Sequence, residues 1–332
     1  MSHPIIETLL QHKGEYVSGE RLSQELGVSR TAIWKQIKKL EAAGYRFEAS
    51  RKLGYRLVGE PPAKLQLGEI VNQLKIYPFV KAVKLFDSVQ STQNIAQQLA
   101  EDDAPEGTII LAEEQTNGRG RRGRIFLSPA GSSVSMSIVL RPDLPLQFAP
   151  QLTLLAAVAL CRGLRELTGL DIGIKWPNDL QVDGKKISGI LMESTAENER
   201  IRYVIAGIGI GVNLLEEDYP AEMRNIATSL RIAKGEEIDR LAVIVSFIKH
   251  FTELYPLYLR EGFGPIISLW ESMAVMLHKK VKLSTSAGIV EGVPIGLCES
   301  GALLVKKADG STESVFSAES LLSAQETPDI RS

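Results

Sequence analysis

The 332-residue chain holds only two cysteines and four histidines, and neither kind is spaced to hold a metal. Cys161 and Cys298 stand far apart with no CxxC, and His3, His12, His250 and His278 form no HExxH. Neither a thiolate nor an imidazole zinc site is therefore indicated, and both cysteines read as buried thiols. Long apolar runs are missing too. The longest, Leu152 to Cys161, is interrupted by Thr153 and falls well short of the ~18 residues that suggest a membrane span, so no membrane insertion is expected. The opening MSHPIIETLLQHKGE has no basic segment followed by a long apolar one, which predicts a cytoplasmic protein rather than a secreted one. Repeats and low-complexity stretches are also lacking. With 44% hydrophobic and 23% charged residues, the composition excludes disordered and fibrous classes. At ~100 to 200 residues per domain, the length predicts two or three domains.

A net charge of −2 offers no overall sign of a nucleic-acid partner, but an average over domains conceals local fields. Residues 1–60 carry +3 and the remainder −5, and between Ser29 and Arg56 eight basic residues face only Glu41 and Glu48. Within residues 1–60, Ser18-Gly19-Glu20-Arg21-Leu22 opens a helix that ends at Gly27, a residue able to adopt positive φ. Ser29 or Thr31 can cap a second helix whose Ile33, Ile37 and Leu40 share one face. Helix, glycine turn, helix is the helix-turn-helix pattern. Its outward side holds Arg30, Lys35, Lys38 and Lys39, suited to phosphates and base edges in a major groove. Tyr45 to Leu57 predicts a hairpin wing with Arg51 and Lys52 at its tip. The expected DNA-facing set is Arg30, Thr31, Lys35, Lys38, Arg51 and Lys52; the alternative is a solvated basic face with no partner.

Gly59-Glu60-Pro61-Pro62 reads as a linker. Beyond it, strand-like runs at Thr108–Ala112, Ser133–Leu140, Ile187–Met192 and Val204–Ile210 alternate with helical patterns at Gln151–Leu167 and Asp239–Leu259. After Lys279 come short strands and turns, VKLSTS, GIVEGVPIGLC, GALLVKKADG and TESVFS, which predict a small β-barrel-like domain. The expected division is 1–62, 63–277 and 278–332.

Gly118-Arg119-Gly120-Arg121-Arg122-Gly123 satisfies GxGxxG, but a dinucleotide site needs a helix opening at the third glycine. Ile125-Phe126-Leu127-Ser128-Pro129 comes next instead. The loop is expected to hold phosphate through close backbone approach at its glycines and through Arg119, Arg121, Arg122 and Arg124. Lys175-Trp176-Pro177-Asn178-Asp179-Leu180 and Gly184-Lys185-Lys186-Ile187-Ser188-Gly189-Ile190-Leu191 flank Asp183-Gly184, a strong hairpin signal, so KWPNDLQV and KKISGILME should pair antiparallel. Lysines there suit carboxylate or phosphate oxygens, and Asn178 or Asp179 suits a hydroxyl or a magnesium-bound water. Alone, this hairpin is a surface salt-bridge arrangement; beside the arginine loop it becomes an anion site.

GRGRRGR, KWPNDL and GKKISGILME, preceded by Ser91-Thr92-Gln93-Asn94 and followed by Gly209-Ile210-Gly211-Val212-Asn213, closely resemble the biotin protein ligase family. With the N-terminal module, the chain resembles its bifunctional subclass of biotin ligase and biotin operon repressor. The resemblance implies an α+β fold: an N-terminal winged helix-turn-helix, a central mixed α/β ligase domain of class II synthetase-like type and a C-terminal SH3-like β-barrel. It implies ATP-dependent formation of biotinyl-5′-AMP, then transfer of biotin to a lysine of a biotin carboxyl carrier domain. ATP, Mg2+ and biotin are the implied small molecules; operator DNA and a homodimer formed on adenylate binding are the implied assemblies. By similarity, Arg121 clamps the biotin carboxylate and adenylate phosphate, Lys186 lies near the reacting carboxyl oxygen, and these two are the catalytic pair. Ser91, Thr92 and Gln115 match the ureido-binding positions, where an unpaired polar group would be costly to bury. Gly118, Arg119, Gly189 and Leu191 complete the implied biotin channel, and Arg119, Arg121, Arg124, Lys175, Asn178 and Asn213 the ATP side. Ser91 and Thr92 read equally as a helix N-cap.

Two positions depart from the pattern. Phe126 stands where some members carry tryptophan, and the C-terminal FSAES segment has no basic residue. Competing readings keep the ligase but make the N-terminal module a gating element, or keep only ligand sensing with an inactive enzyme domain. A lipoate ligase relative would share the general fold.

Overall fold

The computed structural model describes residues 4–12, 14–42, 45–50, 52–58 and 64–320. Arg51, the 59–62 linker and the last twelve residues of the chain lie outside them. Two compact units emerge, one of residues 1–65 with 129–132, the other of 66–128 with 133–332.

The first unit holds α1 (Pro4–Gln11), α2 (Gly19–Leu26), α3 (Arg30–Ala42), β1 (Phe47–Ser50) and β2 (Gly54–Leu57). Ser18 caps α2 by accepting from the Arg21 amide, and Gly27 ends it at φ 65°, the left-handed conformation that glycine adopts without a steric penalty. Ser29 accepts from the Ala32 amide at 3.1 Å and so caps α3. One apolar stripe of α3, Ile33, Ile37 and Leu40, packs with Ile5, Ile6, Leu9 and Leu22. The predicted hairpin forms with Glu48 opposite Arg56, an ion pair to which Tyr16 adds a hydroxyl bond to Glu48 of 2.6 Å.

The second unit contains α4 (Leu67–Leu74), β3 (Ala82–Val89), α5 (Thr92–Glu101), β4 (Thr108–Gln115), β5 (Ser133–Leu140), α6 (Ala149–Thr168), β6 (Gly173–Lys175), β7 (Asp179–Val182), β8 (Lys185–Glu197), β9 (Arg200–Gly211), α7 (Leu230–Lys234), α8 (Arg240–Glu261) and α9 (Gly264–Glu271). Strand order is β3-β4-β5-β9-β8-β7-β6, parallel between β3 and β4 and antiparallel elsewhere. β5 is buried along its whole length, as a strand covered on both faces must be. Ala96 and Ala100 of α5 pack against Ile110, Val139 and Ile205; α6 and α8 supply a larger apolar layer that includes Leu155, Leu160, Phe247 and Phe251. Arg240, at the start of α8, forms a buried bidentate pair with Glu113 of β4 at 2.9 and 3.2 Å.

β10 (Val281–Thr285), β11 (Gly288–Leu297), β12 (Leu303–Lys306), β13 (Thr312–Val315) and β14 (Glu319–Ser320) form an antiparallel sheet in the order β13-β12-β11-β10-β14. The fold is α+β, as expected. One expectation needs correction: KWPNDLQV is not a single strand. The chain reverses at Trp176-Pro177-Asn178, so β6 pairs with β7, and only β7 pairs with β8. Proline has no amide hydrogen and cannot serve a central ladder. Asp183 and Gly184 form the β7–β8 turn with φ of 50° and 74°, both positive as that tight hairpin requires. Among the described residues no helix is long and apolar enough to cross a membrane.

Candidate functional site

A cavity of about 410 Å³ opens on the sheet between the arginine loop, the β6–β7 reversal and the start of α5. Its floor is made by missing side chains. Gly207 and Gly209 alternate along β9 and therefore point to one face, and Gly189 of β8 lies directly opposite Gly209. A Cβ at Gly207 would meet Gln93 at 2.7 Å, one at Gly209 the Phe126 ring at 2.7 Å, and one at Gly189 the Lys186 ammonium at 2.9 Å. Each glycine therefore leaves room that a neighbouring side chain already uses.

One end of the cavity is a buried polar network. Ser91 is the N-cap of α5, while the Thr92 amide and hydroxyl donate to Gln115 Oε1 at 2.8 and 3.1 Å. Gln115 Nε2 donates to Ser135 at 3.2 Å. Thr92 also meets Ser137 at 2.8 Å, and Ser137 donates to Gln93 Oε1 at 2.8 Å. Gln93 Nε2 then donates to Glu193 at 2.9 Å, and Glu193 pairs with Arg119 at 2.7 Å. Polar groups at this depth are costly unless bonded, and the network bonds them. Gln93, Ser137 and Glu193 carry no local signal of this role in the sequence, because their partners are 44 to 100 residues away.

The other end is cationic. Arg121, Arg122, Arg124, Lys175 and Lys186 line the cavity there, Arg119, the partner of Glu193, belongs to the lining as well, and Asp179 is the one carboxylate among the lining residues. Residues 121–123 form a single 3-10 turn with Arg122 at φ 56°, so no dinucleotide-type helix opens here. Arg121 donates to Asn178 at 3.0 Å and to Ser317, on the β13–β14 connection, at 2.7 Å. Asn178 in turn donates to the Ile190 carbonyl at 2.9 Å. Lys186 lies 2.6 Å from Asp179. Such a field suits an anion carrying several oxygens. Tyr219, also in the lining, donates to the Thr228 carbonyl at 2.7 Å, and burial pushes its phenol well up from its ordinary value.

Of the proposed site residues, Ser91, Thr92, Gln115, Leu191 and Gly189 line this cavity with the cations and Asn178. Gly118 is outside the lining; its carbonyl accepts from the Phe126 amide at 2.9 Å, and a Cβ there would meet the Phe126 carbonyl at 2.7 Å. Asn213 lies outside the lining; its amide brackets Ile238, donating to the carbonyl and accepting from the amide at 2.9 Å each. In the N-terminal unit, Arg30, Thr31, Lys35, Lys38 and Lys52 are exposed, and Lys38 is paired with Glu41 at 2.6 Å.

Residues 85–213 match the model of the biotin/lipoate A/B protein ligase family, and residues 3–56 match that of an HTH domain. The chain is 45% identical over 315 residues to the bifunctional ligase/repressor BirA of Bacillus subtilis, covering 95% of this chain and 96% of that protein. To the bifunctional ligase/repressor BirA of Escherichia coli it is 30% identical over 304 residues, 92% of each chain. Among solved structures, biotin protein ligase from Aquifex aeolicus in complex with biotin and ATP aligns with a TM-score of 0.62 and 32% identity, covering 72% of this chain and 97% of that one.

Proposed function

Because the chain belongs to the biotin protein ligase family, in its bifunctional ligase/repressor subclass, we propose that it makes biotinyl-5′-AMP, biotinylates a carrier domain and represses biotin genes with that adenylate as corepressor. The observation that carries this reading is one cavity with a polar, hydrogen-bonded end and a cationic end, joined by a glycine floor. A ureido ring can exchange bonds with Thr92 and Gln115, whereas the dithiolane ring of lipoate has no donor to offer them. That difference favours biotin over lipoate.

In the first step a biotin carboxylate oxygen bonds to the α-phosphorus of ATP and the bond to the β-phosphate oxygen breaks, releasing pyrophosphate. Two anions must be brought together, so positioning and charge neutralisation dominate. Arg121, held between Asn178 and Ser317, is placed to bridge carboxylate and phosphate; Lys186 meets the reacting carboxyl oxygen; Arg119, Arg124 and Lys175 serve the ATP phosphates. In the second step an acceptor lysine amine attacks the acyl carbon, AMP leaves and the amine loses its proton. Among the described residues no group of three His, Cys, Asp or Glu side chains could cage a metal. Mg2+ characteristically keeps its waters and binds largely through phosphates; Asp179, the one carboxylate in the lining, is paired with Lys186, so the ion would be carried by the ATP phosphates and would supply charge neutralisation there.

The division into reader (1–62), ligase (63–277) and C-terminal sheet domain (278–332) belongs to the same proposal. So do a cytoplasmic location, where ATP and the genome are found, and an adenylate-promoted two-fold dimer on a palindromic operator. ATP–pyrophosphate exchange tests the reading: biotin should support it and lipoate should not. Exchange with neither acid, or with lipoate alone, contradicts it.

A further inference from the structure

Trp34 stands apart in the N-terminal unit. It is 52% exposed, although the rest of the large apolar side chains of α3, Ile33, Ile37 and Leu40, are buried. Among the described residues no hydrogen bond or ring contact engages its side chain. Its position is specific. Residues four apart share a helix face, so Trp34 lies in one row with Arg30 before it and Lys38 after it, beside the row of Thr31 and Lys35. An indole flanked by cations and held on the second helix of a helix-turn-helix has the form of an apolar reader set within phosphate-binding charge. The surrounding charge fits duplex nucleic acid, and the apolar feature that a major groove offers is the thymine C5-methyl group.

We propose that Trp34 is a base-reading residue, packing its indole against a thymine methyl in each half-site of the duplex that this module binds. The proposal rests on the DNA-binding reading above. Basic neighbours supply affinity that is independent of sequence and falls with salt, whereas Trp34 supplies discrimination between thymine and a base without the methyl group.

The test uses the full-length protein with biotin and ATP, and a duplex that it selects from a randomised pool. Each thymine in that duplex is replaced in turn by deoxyuridine, which removes only the methyl group. Wild type should lose about fourfold in affinity at one thymine per half-site, the worth of one buried methyl group. Trp34→Ala should lose nothing at that thymine while still binding the duplex; Trp34→Phe, which keeps an aromatic face, should retain the discrimination. Circular dichroism of each variant checks its fold. A wild-type profile with no sensitive thymine, or a Trp34→Ala profile equal to wild type, overturns the assignment while leaving DNA binding intact. Failure of the wild type to enrich any duplex overturns the DNA reading itself and this proposal with it.

Discussion

Replacing Lys186 with alanine tests the chemistry assigned to the cationic end of the cavity. The ammonium lies 2.6 Å from Asp179, in a pair whose side chains are 37% and 25% exposed. Breaking so open a pair should change stability by less than about 1 kcal/mol, so the melting temperature should barely move. The reaction should respond on another scale. Losing one preorganised donor at developing charge costs about 10²- to 10³-fold in rate. The variant also leaves the Asp179 carboxylate unopposed beside two substrate anions. At about 5 Å and an effective dielectric of about 20, that repulsion is worth about 3 kcal/mol, a further ~10²-fold. Biotin-dependent ATP–pyrophosphate exchange should therefore fall about 10⁴-fold in Lys186→Ala, and adding Asp179→Asn should recover up to about 10²-fold, a strongly non-additive cycle. Exchange within about threefold of wild type, or a double variant no faster than Lys186→Ala, would rule out this role for the lysine.

Ser317→Ala removes one of the hydrogen bonds that hold Arg121; the rate at which bound adenylate dissociates should rise several-fold with stability unchanged within about 0.5 kcal/mol, and an unaltered release rate would contradict that tether. Arg240→Ala leaves Glu113 buried without its bidentate partner, both being 4% exposed. A cost of about 3–5 kcal/mol and a melting point lower by about 10 °C are expected, with much of the loss spared in Arg240→Met/Glu113→Leu. Burial pushes the Cys161 thiol up to about 12. Partial burial also opposes ionisation of Cys298, but hydrogen bonds with Ser300 and Ala302 outweigh it and hold that thiol below its ordinary value. Maleimide near neutral pH should therefore modify one cysteine, Cys298, and two only after unfolding. Because the folded state raises the Cys161 value, its contribution to stability is present below the free-thiol pKa and is lost as pH climbs through about 12. Thermal denaturation across that alkaline range, compared with Cys161→Ala, measures the loss.

Much of the frame was legible because its signals are local. Ser133 to Leu140 reads as a strand and is one throughout; Gln151 to Leu167 shows the three-and-four spacing of α6; Asp183-Gly184 forms its turn. The Ile125 to Pro129 segment, just past the arginine loop, reads as no helix, and GxGxxG accordingly opens none. The cavity floor was harder to see. Val204 to Ile210 reads as strand, but the missing side chains of Gly207 and Gly209 within it have no visible role until Gln93 and Phe126 are seen to occupy their space. The bonds from Gln93 to Ser137 and Glu193 depend on register among distant strands, which no local pattern carries. Asn213 shows the converse: its motif drew attention to it, yet its amide is committed to Ile238. Trp34 did have a signal, a place on the basic row of α3 rather than on the stripe of Ile33 and Ile37.

One cavity is proposed both to activate biotin and to deliver it to a lysine. Mass measurement of a biotin carboxyl carrier domain after incubation with the protein, biotin, ATP and magnesium tests this in a single reaction. A gain of one biotinyl group on a single lysine is expected, dependent on ATP and abolished in Lys186→Ala. An acceptor of unchanged mass beside an active wild-type exchange reaction would contradict the proposal.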